Sequence, residues 1–159
     1  ILSHYGMEFT YVDSSNPNNV AEAIRPNTKL IWLETPTNPL LKVTDLEAIA
    51  KIAKEHKIIC GVDSTFATPA LLRPAEFGID IVMHSTTKYL GGHSDVLGGI
   101  VVTRDAGAEC AALRAYQATA GGVPSPFDCW LVLRSLPTLP LRVRAQAASR
   151  PGRHTIRSA

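Results

Sequence analysis

The sequence predicts an α/β fold in which a mostly parallel sheet is flanked by helices. Short apolar runs that suit buried strands alternate with segments that carry helix-start signals. The runs at 57–62 and 80–83 contain β-branched residues and are followed by polar residues. This alternation is typical of βαβ units, whose sheet is covered on both faces.

Five short segments have the composition of strands. They are residues 8–12, 29–34, 57–62, 80–83 and 100–102. The last three are apolar enough to be central strands that are buried on both faces.

Helix starts carry recognisable capping signals. Asn16 before Pro17 predicts a helix to about residue 25, since proline favours the first helical position. Thr44 and Glu47 form a capping box that opens a helix through residue 57. Its predicted apolar stripe consists of Leu46, Ile49, Ala50 and Ala53.

Two further helices are predicted in the last third of the chain. Residues 105–117 have a helical composition, and Ser125 before Pro126 opens another helix through about residue 136. Pro137 and Pro140 are then expected to break and restart this helix.

Composition is that of a globular protein and excludes several classes. The 159 residues fit one domain, and 45% are apolar. No apolar run approaches the length that spans a membrane. The net charge of +2 argues against a dedicated nucleic-acid binder, although residues 130–159 hold six arginines and no acid.

The chain ends and the cysteines indicate whether the protein is longer than this sequence and which cellular compartment it occupies. The chain opens on Ile1 and closes on a polar string, so we expect a piece of a longer protein. The three cysteines lack the spacing of a disulfide framework or a zinc ribbon, which favours a reducing cytoplasm. Cys60 in a strand and Cys129 in a helix are expected to act as small buried hydrophobes rather than nucleophiles.

Three polar loops follow predicted strands, where open α/β sheets bind ligands. The first loop contains Asn38, the second Asp63 and Thr65, and the third is the stretch 84–92. Taken alone, Asn38 is more often a turn residue and Asp63 more often a loop cap. The stretch 84–92 combines hydroxyls and Lys88 with two glycines, which suits an anion cradle but lacks P-loop spacing.

A metal site is an alternative interpretation of this region. His84, His93 and Asp95 are metal-ligating residue types, but their intervals match no zinc motif, and structural roles are favoured. A carboxylate, hydroxyls, an amide and a lysine are instead the groups that pyridoxal phosphate requires together.

Several strings resemble the Cys/Met-metabolism family of pyridoxal-phosphate enzymes. These are ETPTNP at 34–39, VDSTFATP at 62–69, DIVMHSTTKYLGGHSDVLGG at 80–99, VPSPFDCWL at 123–131 and LPLR at 139–142. The resemblance extends over residues 1 to about 146, and the stretch around Lys88 is highly specific.

The resemblance implies roles for individual residues. Lys88 matches the catalytic lysine that forms the internal aldimine, a Schiff base with the cofactor. Asp63 matches the acid that pairs with the pyridine nitrogen. Four further cofactor-binding residues follow from it: Ser85 and Thr87 for the phosphate, Asn38 beside the phenolic oxygen and Thr65 against the ring. Ser64 stands where the family usually has Asn.

The resemblance also implies an architecture. Residues 1–147 match part of the large domain of a fold-type I, aspartate aminotransferase-like enzyme, and family members form homo-oligomers that are dimers of dimers. Residues 148–159 diverge from the family and are expected to be a disordered basic tail.

The implied function is trans-sulfuration of the cystathionine gamma-synthase or gamma-lyase type. Such enzymes act on sulfur amino acids or activated homoserine by gamma-elimination or gamma-replacement. One alternative is a truncated, inactive fragment, and a second is methionine gamma-lyase, cystathionine beta-lyase or O-acyl-homoserine sulfhydrylase. A nucleic-acid module using the six arginines is a further alternative, but aromatic interleaving is missing.

Overall fold

The computed structural model describes residues 2–148 and contains a four-stranded sheet in the order β1-β2-β3-β4. The first three strands are parallel, and β4 runs antiparallel to β3. The predicted mostly parallel α/β architecture is therefore confirmed. The strands are β1 (Leu30–Glu34), β2 (Ile59–Asp63), β3 (Ile81–Ser85) and β4 (Gly99–Thr103).

Most of the helices follow the predicted segments closely. Short 3-10 turns lie at Leu2–Tyr5, Pro74–Phe77 and Leu136–Thr138, and one wide turn, Thr86–Leu90, follows β3. The α-helices of the described part are α1 (Pro17–Ala23), α2 (Leu46–Glu55), α3 (Thr68–Leu71), α4 (Ala108–Ala120), α5 (Pro126–Ser135) and α6 (Leu139–Ala148).

The capping residues agree with the sequence at two helices and differ at the third. Asn16 and Ser125 cap α1 and α5 as predicted, each accepting a backbone N–H of the first turn. At α2 the cap is Asp45, which accepts the N–H of Ala48 at 3.0 Å. Thr44 is instead held by Thr35, whose Oγ1 accepts its N–H at 3.1 Å, so the predicted capping box is wrong.

The main core lies between α2 and one face of the sheet. All four residues of the predicted stripe on α2 are buried. Ile49 and Val62 are both 0% exposed, which places them at the centre of this core. Ile31, Leu33, Cys60 and Val82 complete the sheet side of the cluster.

The other face of the sheet is partly uncovered, which differs from the prediction. Trp32 on β1 is 50% exposed, although its ring lies over Gly61, where an added Cβ would be 2.7 Å from it. Residues 100–102 on β4 are 44–49% exposed and lie at the sheet edge, so their predicted central position is wrong. Because β4 is antiparallel to β3, the two strands need no crossover helix between them. In a parallel pair, that crossover helix is the element that covers the strands.

The predicted strand at residues 8–12 is absent from the described structure. The segment has no ladder partner, and Tyr11 is 91% exposed. A strand exists only where its N–H and C=O groups find a neighbouring strand. No helix within residues 2–148 has the length and apolar character needed to cross a membrane.

Candidate functional site

The ends of the three parallel strands bring the predicted polar loops to one edge of the sheet. Glu34 at the end of β1 is in register with Asp63 at the end of β2, and Asp63 is in register with Met83 on β3. Loops that follow parallel strands therefore meet at this edge, where α/β proteins bind ligands.

Asp63, Thr65 and Ser85 are joined by hydrogen bonds at this edge. Asp63 Oδ1 accepts the N–H of Thr65 at 2.9 Å, and Thr65 Oγ1 accepts the N–H of Ser85 at 2.8 Å. These bonds connect the end of β2 to the end of β3. Within the described chain, the second carboxylate oxygen of Asp63 and the hydroxyl of Ser85 have no hydrogen-bond partner and are available to a ligand.

Lys88 lies in the wide turn that follows β3. The turn closes when the N–H of Gly91 donates to Thr86 O at 2.8 Å and that of Gly92 to Lys88 O at 2.7 Å. The backbone of Lys88 departs from helical values, with φ −96° and ψ −122°. Its side chain is exposed, and the ammonium group makes no ion pair or hydrogen bond to residues 2–148.

An open cavity of about 740 Å³ lies beside this turn. That volume is typical of a small-molecule site. Its walls include Lys88 and Thr87 from the turn, Phe66 from the loop after β2, and Gln146 from α6. Of the predicted site residues, Asp63, Thr65, Ser85 and Asn38 do not line this cavity.

Thr87 and Asn38 are the two remaining predicted site residues, and neither is bonded to Asp63, Thr65 or Ser85. Thr87 Oγ1 accepts the N–H of Gly98 at 3.0 Å and donates to Gly98 O at 3.3 Å, so its hydroxyl is used by the backbone. Asn38 is exposed in the loop after β1, and the structure gives its side chain no contact with the other predicted residues. This loop is tied to β2 where Thr35 N–H donates to Asp63 O at 3.2 Å.

His84 is buried behind the site on β3. Its Nδ1 donates to the carbonyl of Ser64 at 3.1 Å. Burial lowers the pKa of His84, although the hydrogen bond to Ser64 and the charge of Asp63 oppose this shift. The Ser64 hydroxyl is itself buried and lacks a hydrogen-bond partner within the described chain.

The three residues of metal-ligating type do not lie together in the structure. His84 contacts Ser64, while His93 Nδ1 lies 2.7 Å from Gly91 O and 3.3 Å from Ser135 Oγ. Asp95 lines the cavity beside Lys88. Across residues 2–148, no three His, Cys, Asp or Glu side chains are grouped as a metal site requires.

Sequence reasoning missed Arg142 and Gln146. The only sign of Arg142 in the sequence was its place in the string at 139–142, and Gln146 lies outside every recognised string. In the structure Arg142 donates to Tyr89 O in the lysine turn at 2.7 Å, and Gln146 lies one helical turn further along α6 at the cavity wall.

The groups at this edge match what pyridoxal phosphate needs. An unpaired amine lies at the cavity wall, while an unpaired carboxylate oxygen and an unpaired hydroxyl lie at the ends of β2 and β3, outside the cavity lining. By chemical type, this set of donors fits the cofactor.

Comparisons with known proteins identify the family. The sequence profile of the family described as Cys/Met metabolism PLP-dependent enzyme matches residues 1–150. A probable cystathionine gamma-synthase of Herpetosiphon aurantiacus is 51% identical over 144 residues, which are 91% of this chain and 45% of that protein. A cystathionine gamma-lyase of Bacillus subtilis is 52% identical over 147 residues, covering 91% of this chain and 38% of the relative.

Solved structures of this family also match the chain. A cystathionine gamma-lyase from Lactobacillus plantarum, complexed with L-serine, superposes with a TM-score of 0.86 at 43% identity. The match covers 95% of this chain and 42% of the other. The chain thus spans less than half the length of the relatives that it matches.

Proposed function

This chain belongs to the family of Cys/Met metabolism PLP-dependent enzymes, and we propose that it carries the cofactor-binding part of a trans-sulfuration enzyme. The proposed type is cystathionine gamma-synthase or gamma-lyase, which acts on sulfur amino acids or activated homoserine. The main support is Lys88, whose unpaired amine lies at a cavity beside the joined ends of β2 and β3. Residues 1–147 are then part of the large domain, while residues 149–159 of the proposed tail lie outside the described residues.

Each proposed role follows from the chemistry of one side chain. The amine of Lys88 would hold the cofactor and, when free, would take the proton from the substrate α-carbon. The free oxygen of Asp63 holds a proton on the pyridine nitrogen. When bound, pyridoxal phosphate supplies a ring that accepts electrons from the substrate, and this capacity depends on that proton.

The remaining residues bind and orient. The hydroxyls of Ser85 and Thr87 donate to the phosphate, and for Thr87 this requires its bond to Gly98 O to be exchanged. Thr65 packs against the ring while its Oγ1 holds the N–H of Ser85. Asn38 supplies an amide donor to the phenolic oxygen from the loop tied to β2.

An inert chain is the second candidate function. The cavity beside Lys88 is not lined by Asp63, Ser85 or Asn38, which favours incomplete cofactor binding. Related enzymes of other types also match, including a cystathionine beta-lyase of Coxiella burnetii at 49% identity and a methionine gamma-lyase of Micromonospora echinospora at 46%. Beta-lyase, methionine gamma-lyase and sulfhydrylase activities are therefore kept as alternatives within the family.

We also propose a homo-oligomer, a dimer of dimers, in the cytoplasm. The support for an interface is α5, where Phe127, Trp130 and Leu133 are 55–64% exposed and the two aromatic rings stack at 5.8 Å. The support for a reducing compartment is that Cys60, Cys110 and Cys129 are all free thiols.

Cofactor capture tests the function. Pyridoxal phosphate is added to the purified chain, the yellow colour is recorded, borohydride is added, and the modified lysine is located by peptide mapping. We expect modification at Lys88, and Lys88→Ala should abolish both the colour and the label.

Lys51→Ala is the matched control, because Lys51 is an exposed lysine on α2, away from the sheet edge. It should be labelled at Lys88 as the unmodified chain is. A folded chain that gains no label at Lys88 would support the inert alternative and contradict the proposed function.

A further inference from the structure

We propose that Arg142 is a positioning residue for Lys88, because its guanidinium joins the lysine turn to the corner between α5 and α6. The inference rests on the proposed function and deepens it by naming the group that holds the lysine in place. Arg142 acts through the backbone of the turn and does not touch the cofactor or the substrate.

The guanidinium is bound on three sides. Its Nη1 donates to Tyr89 O at 2.7 Å, its Nη2 to Ser135 O at 3.0 Å, and its Nε to Thr138 Oγ1 at 3.0 Å. Charged donors make stronger hydrogen bonds than neutral ones. Two of these bonds hold Arg142 to the corner between α5 and α6, one at Ser135 and one at Thr138, so the third fixes the position of the Tyr89 carbonyl.

The lysine turn needs this outside donor. Gly91 N–H bonds to Thr86 O and Gly92 N–H to Lys88 O, so neither of these two amides satisfies the carbonyl of Tyr89. The non-helical backbone at Lys88 interrupts the regular helical pattern in which the next turn would supply a donor. Arg142 donates to this carbonyl directly after the lysine.

The glycine at position 92 makes room for the guanidinium. Gly92 has φ +74°, and an added Cβ would lie 2.3 Å from Arg142 Nη1. Any other residue would therefore both strain the backbone and displace the arginine. Beside this contact Leu90 packs with Leu139 and Val143, so that apolar contacts also hold α6 against the turn.

The same bonds argue against a ligand-binding role for Arg142. Three of its five N–H groups, one on each nitrogen, already donate to protein oxygens, and Arg142 is not among the residues that line the cavity. Gln146, one helical turn further along α6, is the residue of this helix that lines the cavity.

The test compares Arg142→Met and Arg142→Lys with the unmodified full chain. Two readouts are used: the rate of cofactor capture at Lys88, and amide hydrogen exchange at Gly91 and Gly92 without cofactor. Losing a charged hydrogen bond should slow capture by about tenfold in Arg142→Met and speed exchange at both glycines. Arg142→Lys keeps the charge but cannot donate in three directions, so we expect an intermediate effect.

Chemical rescue separates positioning from a general loss of stability. Added methylguanidinium should restore part of the capture rate of Arg142→Met, which a variant that is merely less stable would not show. Arg144→Met is the matched control, since Arg144 is exposed on the same helix, and it should behave like the unmodified chain.

The outcomes distinguish this inference from the proposed function. If the unmodified chain is never labelled at Lys88, the proposed function fails, while hydrogen exchange still tests the contact of Arg142 with the turn. If Arg142→Lys matches the unmodified chain in both capture and exchange, the inference is overturned. That comparison remains decisive where Arg142→Met does not fold.

Discussion

At the scale of single residues, the site depends on which polar groups have partners and which do not. Lys88 and the second oxygen of Asp63 lack partners in the described part of the chain, while the other oxygen of Asp63 is held by Thr65. A charged group that already has a protein partner is less able to bind a ligand or exchange a proton. The groups without partners are therefore the ones available for chemistry.

Replacing Asp63 tests the proposed proton on the ring. Asp63→Asn keeps an oxygen for the N–H of Thr65 but removes the negative charge, so cofactor capture at Lys88 should persist. Exchange of the α-proton of a bound amino acid in deuterated water should slow by about 100-fold or more, as expected when an acid–base partner is lost. Glu55→Gln, at an exposed carboxylate in the last turn of α2, is the control and should leave exchange unchanged.

The cysteines differ sharply in expected reactivity. Burial, and then the charge of Asp80, raise the pKa of Cys60 to about 12, so it should react with a maleimide only after unfolding. Cys129 is exposed on α5, which corrects the expectation that it is buried, and it should react at once.

Hydrogen bonds from Thr103 and then Arg114 lower the pKa of Cys110, so it should also react in the folded chain. Mass spectrometry of labelled peptides measures this, and early modification of Cys60 would contradict the structure.

His84 should make stability depend on pH. Because burial lowers its pKa below 6.5 in the folded chain, the unfolded chain binds the proton more readily. The stabilising contribution is therefore present above about pH 6.5 and is lost as the pH falls toward the lowered pKa.

Urea unfolding at pH 7.5 and 5.5 measures this effect. His84→Asn keeps a donor for the Ser64 carbonyl and should reduce the loss of stability between the two pH values. His56→Asn is the control because the His56 ring is exposed. An unchanged pH dependence in His84→Asn would show that another group is responsible.

At the scale of elements, local signals predicted where helices begin better than how strands are covered. Ser125 caps α5 as the sequence indicated, since a cap needs only groups within three residues of each other. The capping box at Thr44 was wrong because Thr35, nine residues away, accepts the Thr44 N–H. Residues 100–102 form a strand as the sequence predicts. Their exposure was not predicted, because it depends on the position of β4 at the edge of the sheet.

The cap of α5 provides a direct test at this scale. Ser125 Oγ accepts the N–H of Asp128 at 3.1 Å, so Ser125→Ala should lower the free energy of unfolding by about 1 kcal/mol. Ser125→Thr keeps a hydroxyl that can accept this N–H and donate to Asp128 Oδ2, as Ser125 Oγ does at 2.8 Å, so it should lower the free energy of unfolding far less. Equal losses in the two variants, measured by urea unfolding, would exclude the capping explanation.

At the scale of the whole molecule, one core cluster supports the edge that carries the site. The cluster joins α1 and α2 to the first three strands, and a smaller one joins the lysine turn to α6. Strand ends are positioned by the main cluster, whereas the turn with Lys88 is held from the α5–α6 side. The site therefore depends on both clusters.

Removing core volume should destabilise the whole chain. Ile49 is 0% exposed, and Ile49→Ala should lower the free energy of unfolding by about 2–5 kcal/mol, because it removes buried methyl groups and leaves a cavity. Leu141→Ala is the control, since Leu141 is 68% exposed on α6. Calorimetry or urea unfolding measures both, and equal effects would contradict the placement of the core.

The sequence by itself determined four of the five predicted strand segments, most of the helices, the apolar stripe of α2 and, through residues 80–99, the family and its cofactor. These features depend on residues that are close together in the chain. The tertiary structure alone decided that β4 lies at an edge, that Cys129 is exposed and that Arg142 reaches Tyr89 across 53 residues. Burial and long-range hydrogen bonds depend on which distant element covers a residue, and local propensity carries no information about that.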